Sequence, residues 1–420
     1  MRLLLHLGTG LYHAGIRLAA PFVPKARAWV RGRRGLWPRL EARAAQLQGC
    51  LWMHCASVGE FEQGRPVLEA VRRAHPQRPV LLTFHSPSGH RAFQGSDAAH
   101  YVEYLPADTA RNARRLVRLL RPHAVLWVKY EFWPRHLHAL HRAGVPVYLL
   151  SAIFRPGQPF FRWYGAGHRR MLRAFAHLFV QDERSRALLH GIGVGDVTVS
   201  GDTRFDRVAG IAAAPPGLPM AAAFKGAAPM VVCGSTWPAD ERLLAAAMDG
   251  LPVPVKWLVV PHEPTAEHVR GIEARFPRPL VRWSELEGTT AENVAATLGR
   301  EPRGTLVVDR TGLLARLYAH GDLAYVGGGF GAGVHSILEP AAWGLPVLFG
   351  PRHRKFAEAE AIVRAGGGRA VGHVAALRDA LDRWTGDPAE RRRAGEAARG
   401  YVADQAGATD RIMAVLKDRL

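Results

Sequence analysis

The segment L-W-M-H-C-A-S-V-G-E, Leu51 to Glu60, holds the first clear strand–turn–helix pattern of the chain. Its apolar start, Leu51–Cys55, predicts a short buried strand. The next residues, Ala56–Gly59, predict a turn, and a helical pattern then runs from Glu60 to Ala74. A strand followed by a crossover helix is typical of a parallel sheet with helices on both faces.

The same alternation continues on the C-terminal side of this segment. Further strands of the first half are predicted at Val80–Phe84, His100–Leu105, Ala124–Val128, Val145–Ser151, His177–Gln181 and Val197–Ser200. Residues 208–229 are rich in Pro, Ala and Gly and predict a linker. A second set of strands is predicted at Met230–Cys233, Lys256–Val260, Leu280–Arg282, Thr305–Val308 and Leu323–Val326.

Two doubly wound halves joined by a linker predict an α/β fold with a cleft between two Rossmann-like domains. This is the plan of the GT-B glycosyltransferases, and periplasmic binding proteins share it. Function must therefore come from the residues at the strand ends, because ligands of open α/β sheets bind outside the carboxyl ends of the strands.

The N-terminal side of the chain has a different composition. Leu3–Val23 is mostly apolar but contains two histidines and an arginine, and no A-x-A cleavage site follows it. Trp29 and Trp37 are then interleaved with basic residues, namely Lys25, Arg27, Arg31, Arg33, Arg34, Arg39 and Arg43. This pattern predicts a membrane-associated segment at residues 1–45, which either spans the membrane or lies on its anionic surface. The alternative is an ordinary N-terminal helix packed on a domain.

The chain has 420 residues and a formal net charge of +20 at pH 7. Such a surface predicts an anionic partner, which can be nucleic acid, anionic lipid or a phosphorylated substrate. No recognisable nucleic-acid-binding motif accompanies the charge, so we expect no nucleic acid partner. The three cysteines form no metal-binding pair and no D-x-D motif is present, so we expect no metal.

Three motifs of the first half follow predicted strands and carry candidate catalytic residues. In H-C-A-S-V-G-E, Glu60 is either a general base or a carboxylate that only complements the helix macrodipole. In V-K-Y-E-F-W-P, Lys129 and Glu131 are either site residues or a surface ion pair beside a packed tryptophan. In G-D-T-R-F-D, Arg204 either meets a phosphate or a sugar carboxylate, or is a solvated turn residue.

The second half contains a glycine-rich loop, A-Y-V-G-G-G-F-G-A-G-V-H-S-I-L-E-P, from Ala324 to Pro340. Glycines after a strand let backbone N–H groups approach a phosphate, and the start of the next helix favours negative charge. The loop fits neither the Walker A nor the dinucleotide-binding pattern. Glu339 either binds the ribose hydroxyls of a nucleotide or forms a capping box with Ser336.

Taken together, the motifs resemble those of the bacterial transferases of 3-deoxy-D-manno-oct-2-ulosonic acid (Kdo), in order and over nearly the whole chain. The resemblance rests on the three motifs of the first half and on the final G-V-H-S-I-L-E-P. It also rests on two further motifs, Y-L-P-A-D at Tyr104–Asp108 and G-S-T-W-P-A-D-E at Gly234–Glu241. The resemblance implies a metal-independent, inverting GT-B enzyme without a cofactor, located on the cytoplasmic face of the inner membrane. It implies CMP-Kdo as the donor and lipid IVA, a tetraacylated disaccharide bisphosphate, as the acceptor.

The resemblance also implies roles for residues and domains. Residues 46–207 correspond to an acceptor domain with Glu60 as the base, and Lys129 and Arg204 occupy the positions of residues that stabilise the transition state. Residues 230–420 correspond to a CMP-sugar domain with C-terminal helices. Its CMP-binding segments align with Pro261–His262, with Thr311, Gly312 and Leu313, and with Ser336, Ile337, Leu338 and Glu339.

Three positions depart from the family pattern. Arg204 replaces a lysine and keeps the charge, and His262 replaces an arginine. Lys129 replaces the first glutamate of E-x-E-x-W-P, which reverses the charge. We expect Lys129 to act on the carboxylate of the sugar or on an acceptor phosphate, with Glu131 balancing the local field; the alternative is a solvated lysine.

Overall fold

The computed structural model describes residues 2–129, 131–248 and 250–420. The chain divides into two compact units, of which the first is Met1–Arg207 with Ala406–Leu420 and the second is Val208–Gln405. Each unit contains a seven-stranded sheet in which all neighbouring strands are parallel, with helices between the strands. The predicted α/β class with two doubly wound sheets is therefore confirmed.

The sheet of the first unit has the order β3-β2-β1-β4-β5-β6-β7. Its strands are β1 (Leu51–Cys55), β2 (Val80–Phe84), β3 (Tyr101–Tyr104), β4 (Ala124–Val128), β5 (Val147–Ala152), β6 (His177–Val180) and β7 (Val197–Val199). The order reverses between β1 and β4, which pair in parallel. The carboxyl ends of these two strands therefore flank the crevice where doubly wound sheets bind ligands.

Helices cover both faces of this sheet. They are α1 (Arg2–Ala19), α2 (Pro24–Gly32), α3 (Leu36–Leu47), α4 (Val58–Ala74), α5 (Pro87–Phe93), α6 (Ala110–Leu120), α7 (Pro134–Arg142), α8 (Ala166–Leu172), α9 (Glu183–His190) and α10 (Thr203–Ala213), with a 3-10 turn at Pro159–Phe161. Because side chains alternate along a strand, Trp52 and Met53 of β1 point into two different apolar clusters, one on each face.

The sheet of the second unit has the order β10-β11-β9-β8-β12-β13-β14. Its strands are β8 (Met230–Thr236), β9 (Lys256–Pro261), β10 (Leu280–Arg282), β11 (Gly304–Val307), β12 (Leu323–Val326), β13 (Val347–Phe349) and β14 (Gly368–Ala370). Here the order reverses between β8 and β12, so the carboxyl ends of these strands flank the ligand-binding crevice of this sheet.

The helices of the second unit include much of the segment predicted as a linker. They are α11 (Pro219–Lys225), α12 (Pro238–Met248), α13 (Ala266–Glu273), α14 (Ala291–Ala296), α15 (Leu314–Leu317), α16 (Leu338–Ala342), α17 (Ala357–Arg364), α18 (Val374–Gly386) and α19 (Pro388–Gln405), with 3-10 turns at Trp283–Leu286, Leu298–Arg300 and Tyr318–His320. Within residues 208–229, the end of α10 and all of α11 are helical, since the alanine-rich stretches favour helix between the prolines.

The last helix, α20 (Ala408–Leu416), belongs to the first unit, whereas the sequence grouped it with residues 230–420. Its side chains Ile412 and Leu416 are fully buried in the cluster that also contains Phe61 and Phe179. Asp206, from the motif that ends the first half, accepts hydrogen bonds from the backbone N–H groups of Gly407 and Thr409 at the start of α20. This carboxylate therefore caps the helix.

The N-terminal helices pack on the first unit. Trp29 of α2 and Leu36, Leu40 and Leu47 of α3 are buried, as is His13 of α1. None of the helices in the described ranges is both long enough and apolar enough to span a bilayer. The apolar residues Leu18 and Phe22 are nevertheless 75% and 85% exposed, so this part of the chain presents an apolar surface.

Candidate active site

Glu60 lies at the reversal point of the first sheet, in the first turn of the helix that follows β1. The hydroxyl of Ser57 accepts a hydrogen bond from the Glu60 backbone N–H, and the Glu60 carboxylate accepts one from the backbone N–H of Ala56. The side chain is thus folded back over the end of β1 and fixed there. Burial raises the pKa of Glu60 above its ordinary value, while the Ala56 N–H and the charge of Lys129 oppose this shift.

Glu131 follows the neighbouring strand β4 and lies within electrostatic range of Glu60. Burial and the negative charge of Glu60 raise the pKa of Glu131 to about 7. Its Oε2 atom is 3.9 Å from Nδ1 of His85, a residue that directly follows β2. The indole of Trp133 lies nearby without completing a hydrogen bond, and both Oε2 and Trp133 Nε1 are buried and unpartnered within the described residues.

Lys129 is the first residue after β4, and its backbone has φ = 58°, in the left-handed region. A non-glycine residue in this region is uncommon and carries strain, which in proteins is often found at functional sites. Its amide N–H donates to the carbonyl of Leu150 at 3.0 Å, which holds the turn against β5. The structure thus places the Lys129 charge near Glu60 rather than in bulk solvent. Tyr130, the next residue of this motif, lies outside the described residues.

A buried Asp–His pair holds the other end of the Glu131 loop. Asp108 of Y-L-P-A-D accepts hydrogen bonds from the backbone N–H groups of Arg135 and His136 and from Nδ1 of His136 at 2.8 Å. Both side chains are inaccessible to solvent. Asp108 therefore fixes the first turn of α7, and with it the segment that carries Glu131 and Trp133.

Arg204 is anchored at the start of α10. Its guanidinium donates to Asp202, with Nε and Nη2 both 2.8 Å from Oδ2. The preceding residue, Thr203, donates to the carbonyl of Gln63 in α4, the helix that begins next to Glu60. Arg204 is 38% exposed, so its charge still faces solvent or a ligand. His54, the first residue of H-C-A-S-V-G-E, is buried and pairs with Thr83, so its role is structural.

The N-terminal helices reach the same strand ends. The ring of His13 stacks between Trp29 and Trp133, with centroids 5.5 and 5.7 Å away. Trp29 donates from Nε1 to Nε2 of His85 at 3.2 Å. The sequence alone does not link these residues, because His13 and Trp133 are 120 positions apart. The signal was that His85 and Trp133 follow β2 and β4, the two strands that flank β1 in the sheet.

In the second unit, the glycine-rich loop follows β12 at the reversal point of the sheet. Asp240 of α12 accepts hydrogen bonds from the backbone N–H groups of Trp237 and Gly328, both at 3.0 Å, and from the Tyr325 hydroxyl at 2.9 Å. This buried carboxylate ties the turn after β8 to the loop after β12, and so fixes the backbone of both sides of the crevice.

Two of the loop glycines are required by backbone packing. A Cβ atom at Gly327 would lie 2.3 Å from the carbonyl oxygen of Ser235, and one at Gly329 would lie 2.6 Å from the backbone of Gly350. The glycines therefore allow the loop to pack directly on neighbouring strand ends. This requirement accounts for them independently of any phosphate.

The predicted nucleotide-binding residues surround the same sheet edge but differ in exposure. Pro261 ends β9 and is buried, His262 follows it and is exposed, and Thr311 and Gly312 form an exposed turn before the half-buried Leu313. In the last segment Ser336 is exposed and Glu339 is half-buried, whereas the side chains of Ile337 and Leu338 are in the core. These two residues can meet a ligand only through their backbone.

The capping box predicted as the alternative role of Glu339 is wrong. The helix α16 begins at Leu338, its N-cap residue is Ile337, and no side chain caps it. Ser336 therefore lies outside the helix. The five-residue α16 starts only after Ile337, whose side chain is already in the core. Glu339 lies near the buried hydroxyl of Tyr318, whose pKa is raised mainly by burial and also by this carboxylate.

Three rings stack at this edge, and two of them were not singled out from the sequence. His262 lies parallel to Trp237 and to His335, with centroid distances of 4.8 and 4.3 Å. Nε1 of Trp237 donates to Nε2 of His335 at 2.9 Å. Each ring follows the end of a different strand, β8, β9 or β12, so the shared strand-end position was the signal that linked them.

The first unit thus offers two half-buried carboxylates with raised pKa values, one strained lysine and one anchored arginine. A carboxylate of raised pKa is suited to remove a proton from a hydroxyl group near neutral pH. The second unit offers a rigid loop, a short turn and planar rings, which suit a small aromatic ligand that carries an anion.

Comparison with known proteins gives a consistent result. The family model described as 3-deoxy-D-manno-octulosonic-acid transferase (kdotransferase) matches residues 30–207. A 3-deoxy-D-manno-octulosonic acid transferase of Bordetella pertussis is 29% identical over 99% of this chain and 100% of its own length. The enzyme of the same name from Aquifex aeolicus is 26% identical over 73% of this chain and 78% of its own. Among solved structures, a glycosyltransferase from Rickettsia africae superposes with a TM-score of 0.55 at 12% identity, covering 89% of this chain and 98% of its own, which supports the GT-B fold.

Proposed function

We propose that this chain is a member of the Kdo transferase family and transfers Kdo from CMP-Kdo to lipid IVA, a reaction of lipopolysaccharide biosynthesis. The observation that carries this proposal is the position of Glu60. Its carboxylate is fixed over the reversal point of the first sheet, inside the region that matches the family, and burial raises its pKa.

In the proposed reaction, Glu60 removes the proton from an acceptor hydroxyl as its oxygen attacks the anomeric carbon of Kdo. The bond from this carbon to the CMP phosphate breaks, the electron pair leaves with CMP, and the configuration at the anomeric carbon inverts. Lys129 and Arg204 supply positive charge for the sugar carboxylate and the phosphates. Glu131, with its pKa raised to about 7, offsets the charge of Lys129 when it is ionised.

The second unit binds the cytidine nucleotide in this proposal. The planar stack of Trp237, His262 and His335 supplies faces on which a base can pack. Glu339 is the candidate partner for the ribose hydroxyls, and the turn at Thr311 and Gly312 lies at the same edge. CMP carries a single phosphate, so backbone N–H groups and one or two cations suffice and no metal is invoked.

We further propose that the protein works at the cytoplasmic face of the inner membrane. The exposed Leu18 and Phe22 lie next to a basic run, and apolar residues beside lysines and arginines favour binding to an anionic bilayer. The net charge of +20 acts in the same direction. We assign the charge to lipid and substrate and expect no nucleic acid partner.

The test is incubation of the purified protein with CMP-Kdo and lipid IVA, followed by mass spectrometry of the lipid. We expect lipid that has gained Kdo, in amounts unchanged by a metal chelator, and inhibition by CMP but not by UDP. A protein that uses another nucleotide sugar would leave the lipid unmodified and would respond to a different nucleotide.

A further inference from the structure

A cavity of about 310 Å³ lies between the N-terminal helices and the strand ends that carry the catalytic residues. Tyr12 and Ile16 of α1 line one side, and Val23, Ala26 and Trp29, in or just before α2, line another. Ala56, His85 and Glu131, which follow three adjacent strands, form its inner end. The first sheet therefore does not build this site alone.

The inner end of the cavity is the catalytic end. Ala56 is the residue whose backbone N–H holds the Glu60 carboxylate. Glu131 lines the cavity with a buried carboxylate oxygen that lacks a hydrogen-bond partner within the described residues. The ring of Tyr12 lies 6.0 and 6.2 Å from the rings of His85 and Trp133, so α1 adds an aromatic side chain to the lining near these strand ends. The Glu131 side chain as a whole is 40% exposed, so a ligand here would meet its carboxylate group.

The outer end differs in chemistry. Ile16, Val23 and Ala26 make it apolar, and the exposed Leu18 and Phe22 are close to Ile16 and Val23 along the chain. Lys25 lines the same end, is exposed, and takes part in no ion pair within residues 2–129, 131–248 and 250–420. An apolar wall beside an uncommitted cation suits an amphiphile with an anionic headgroup.

We propose that this cavity is the acceptor site, and that the α1–α2 hairpin forms the wall that binds the lipid part of the acceptor. The sugar that receives Kdo lies toward Glu131 and Glu60, the start of an acyl chain lies along Ile16 and Val23, and Lys25 binds a phosphate of the headgroup. The volume is at the lower end of the range of ligand pockets, so it holds one sugar and the start of one chain rather than the whole lipid.

This inference rests on the proposed function, and it gives the hairpin a role that differs from membrane attachment. A membrane anchor raises the local concentration of an acceptor that lies in the same membrane. When the acceptor is supplied in detergent micelles instead, the anchor no longer affects the rate of transfer. A cavity wall contributes to the KM for the acceptor under any presentation. Its effect also depends on whether the acceptor has acyl chains.

The experiment measures steady-state kinetics in detergent micelles with lipid IVA and with the same disaccharide bisphosphate from which all acyl chains have been removed. Ile16→Ser should raise the KM for lipid IVA about 10-fold, the effect of losing one apolar contact, and leave the KM for the deacylated acceptor unchanged. Lys25→Met should raise the KM for both acceptors, and Lys25→Arg should restore it. Leu11→Ser is the matched control, because Leu11 is on the same helix, is 71% exposed and does not line the cavity.

The outcomes separate the inference from the proposed function. No Kdo transfer by the unaltered protein to either acceptor would contradict the proposed function itself. Normal transfer with an unchanged KM in Ile16→Ser and Lys25→Met would overturn only the acceptor site. A KM for CMP-Kdo and a melting temperature equal to those of the unaltered protein confirm that a variant is folded. A variant that melts early is replaced by Val23→Ser, for which the same result is expected.

Discussion

The imidazole of His13 stacks on the indole of Trp133 with ring centroids 5.7 Å apart and an interplanar angle of 19°. This contact joins the first helix to the loop that carries Glu131. Burial lowers the pKa of His13 to about 4, so the ring is uncharged at neutral pH and packs as an aromatic surface. The N-terminal helix is thus coupled to the catalytic loop through packing alone.

We expect His13→Ala to loosen α1 without unfolding the sheet. The substitution removes a ring buried between two tryptophans, and a cavity of that kind weakens the packing of the helix by a few kcal/mol. Trypsin should then cleave after Arg17 and Lys25 at least several-fold faster than in the unaltered protein, while the main thermal transition stays in place. Leu11→Ala, at an exposed position of the same helix, should leave both rates unchanged. Equal cleavage of the two variants would show that the stack does not hold the helix.

Glu60→Gln should lower kcat by about 100-fold or more, because an amide cannot accept the proton of the attacking hydroxyl. Binding of CMP, measured by calorimetry, should remain close to normal. Glu62→Gln, two residues further along α4 and paired with Arg207, serves as the control for a change in helix charge. A Glu60→Gln protein with near-normal turnover would remove the base assignment.

Lys129→Ala and Lys129→Glu should both lose activity, because each removes the positive charge near Glu60. Loss of this charge also raises the pKa of Glu60 further, so the acidic limb of the pH–kcat/KM profile should move to higher pH in Lys129→Ala. Lys129→Arg should keep the profile in place. Varying donor and acceptor separately will show which anion the lysine binds. Unchanged constants in both variants would mean that Lys129 is only a solvated residue.

Glu131→Gln should stabilise the protein at alkaline pH. Folding raises the pKa of this carboxyl from 4.5 to about 7, so its contribution to stability is fully present below about pH 4.5 and is lost as the pH rises through 7. The melting temperature of the variant relative to the unaltered protein should therefore be higher at pH 8.5 than at pH 5. Glu69→Gln, which removes a surface carboxylate paired with Arg65, should show a much smaller change with pH. A constant difference for Glu131→Gln would contradict the buried position of the charge.

Glu339→Ala should weaken the binding of CMP by about 10-fold, the effect of one or two hydrogen bonds to a charged group, with little change in melting temperature. No capping box exists to be lost, because α16 begins at Leu338. Calorimetry with CMP and a thermal melt measure the two effects. Asp379→Ala, which removes an exposed carboxylate of the same unit paired with Arg369, is the control for the loss of a negative charge. A variant that melts much earlier but binds CMP normally would assign Glu339 a structural role.

Strand positions were largely predictable, because buried parallel strands appear in a sequence as short runs of apolar residues. The structure has β1, β2, β4, β10 and β12 with the predicted bounds. Two strands, β13 and β14, were missed. Each has only three residues, and the sequence G-R-A of β14 has no strand propensity, so its position is determined by pairing with β13.

The sequence also predicted that Glu60 and Glu131 each follow a strand. The sheet order, which makes β1 and β4 neighbours at the reversal point, was not predicted. The left-handed backbone of Lys129 and the stack of His13 on Trp133 were not predicted either, because backbone strain and contacts distant in sequence depend on the whole packed structure. The glycine-rich loop shows the reverse case. Its pattern indicated a phosphate site, whereas Gly327 and Gly329 are already required by contacts with the neighbouring backbone.

The return of α20 to the first unit has a consequence for the order in which the chain folds on the ribosome. When residue 207 has been synthesised, every strand of the first sheet exists, yet the side chains of Phe61 and Phe179 still lack the cover of Ile412 and Leu416. Asp206 likewise lacks its hydrogen bonds from the N–H groups of Gly407 and Thr409 at that stage. The unit that is made first is therefore completed last, after about 200 further residues have been added. At about 5–20 residues per second this takes roughly 10–40 seconds.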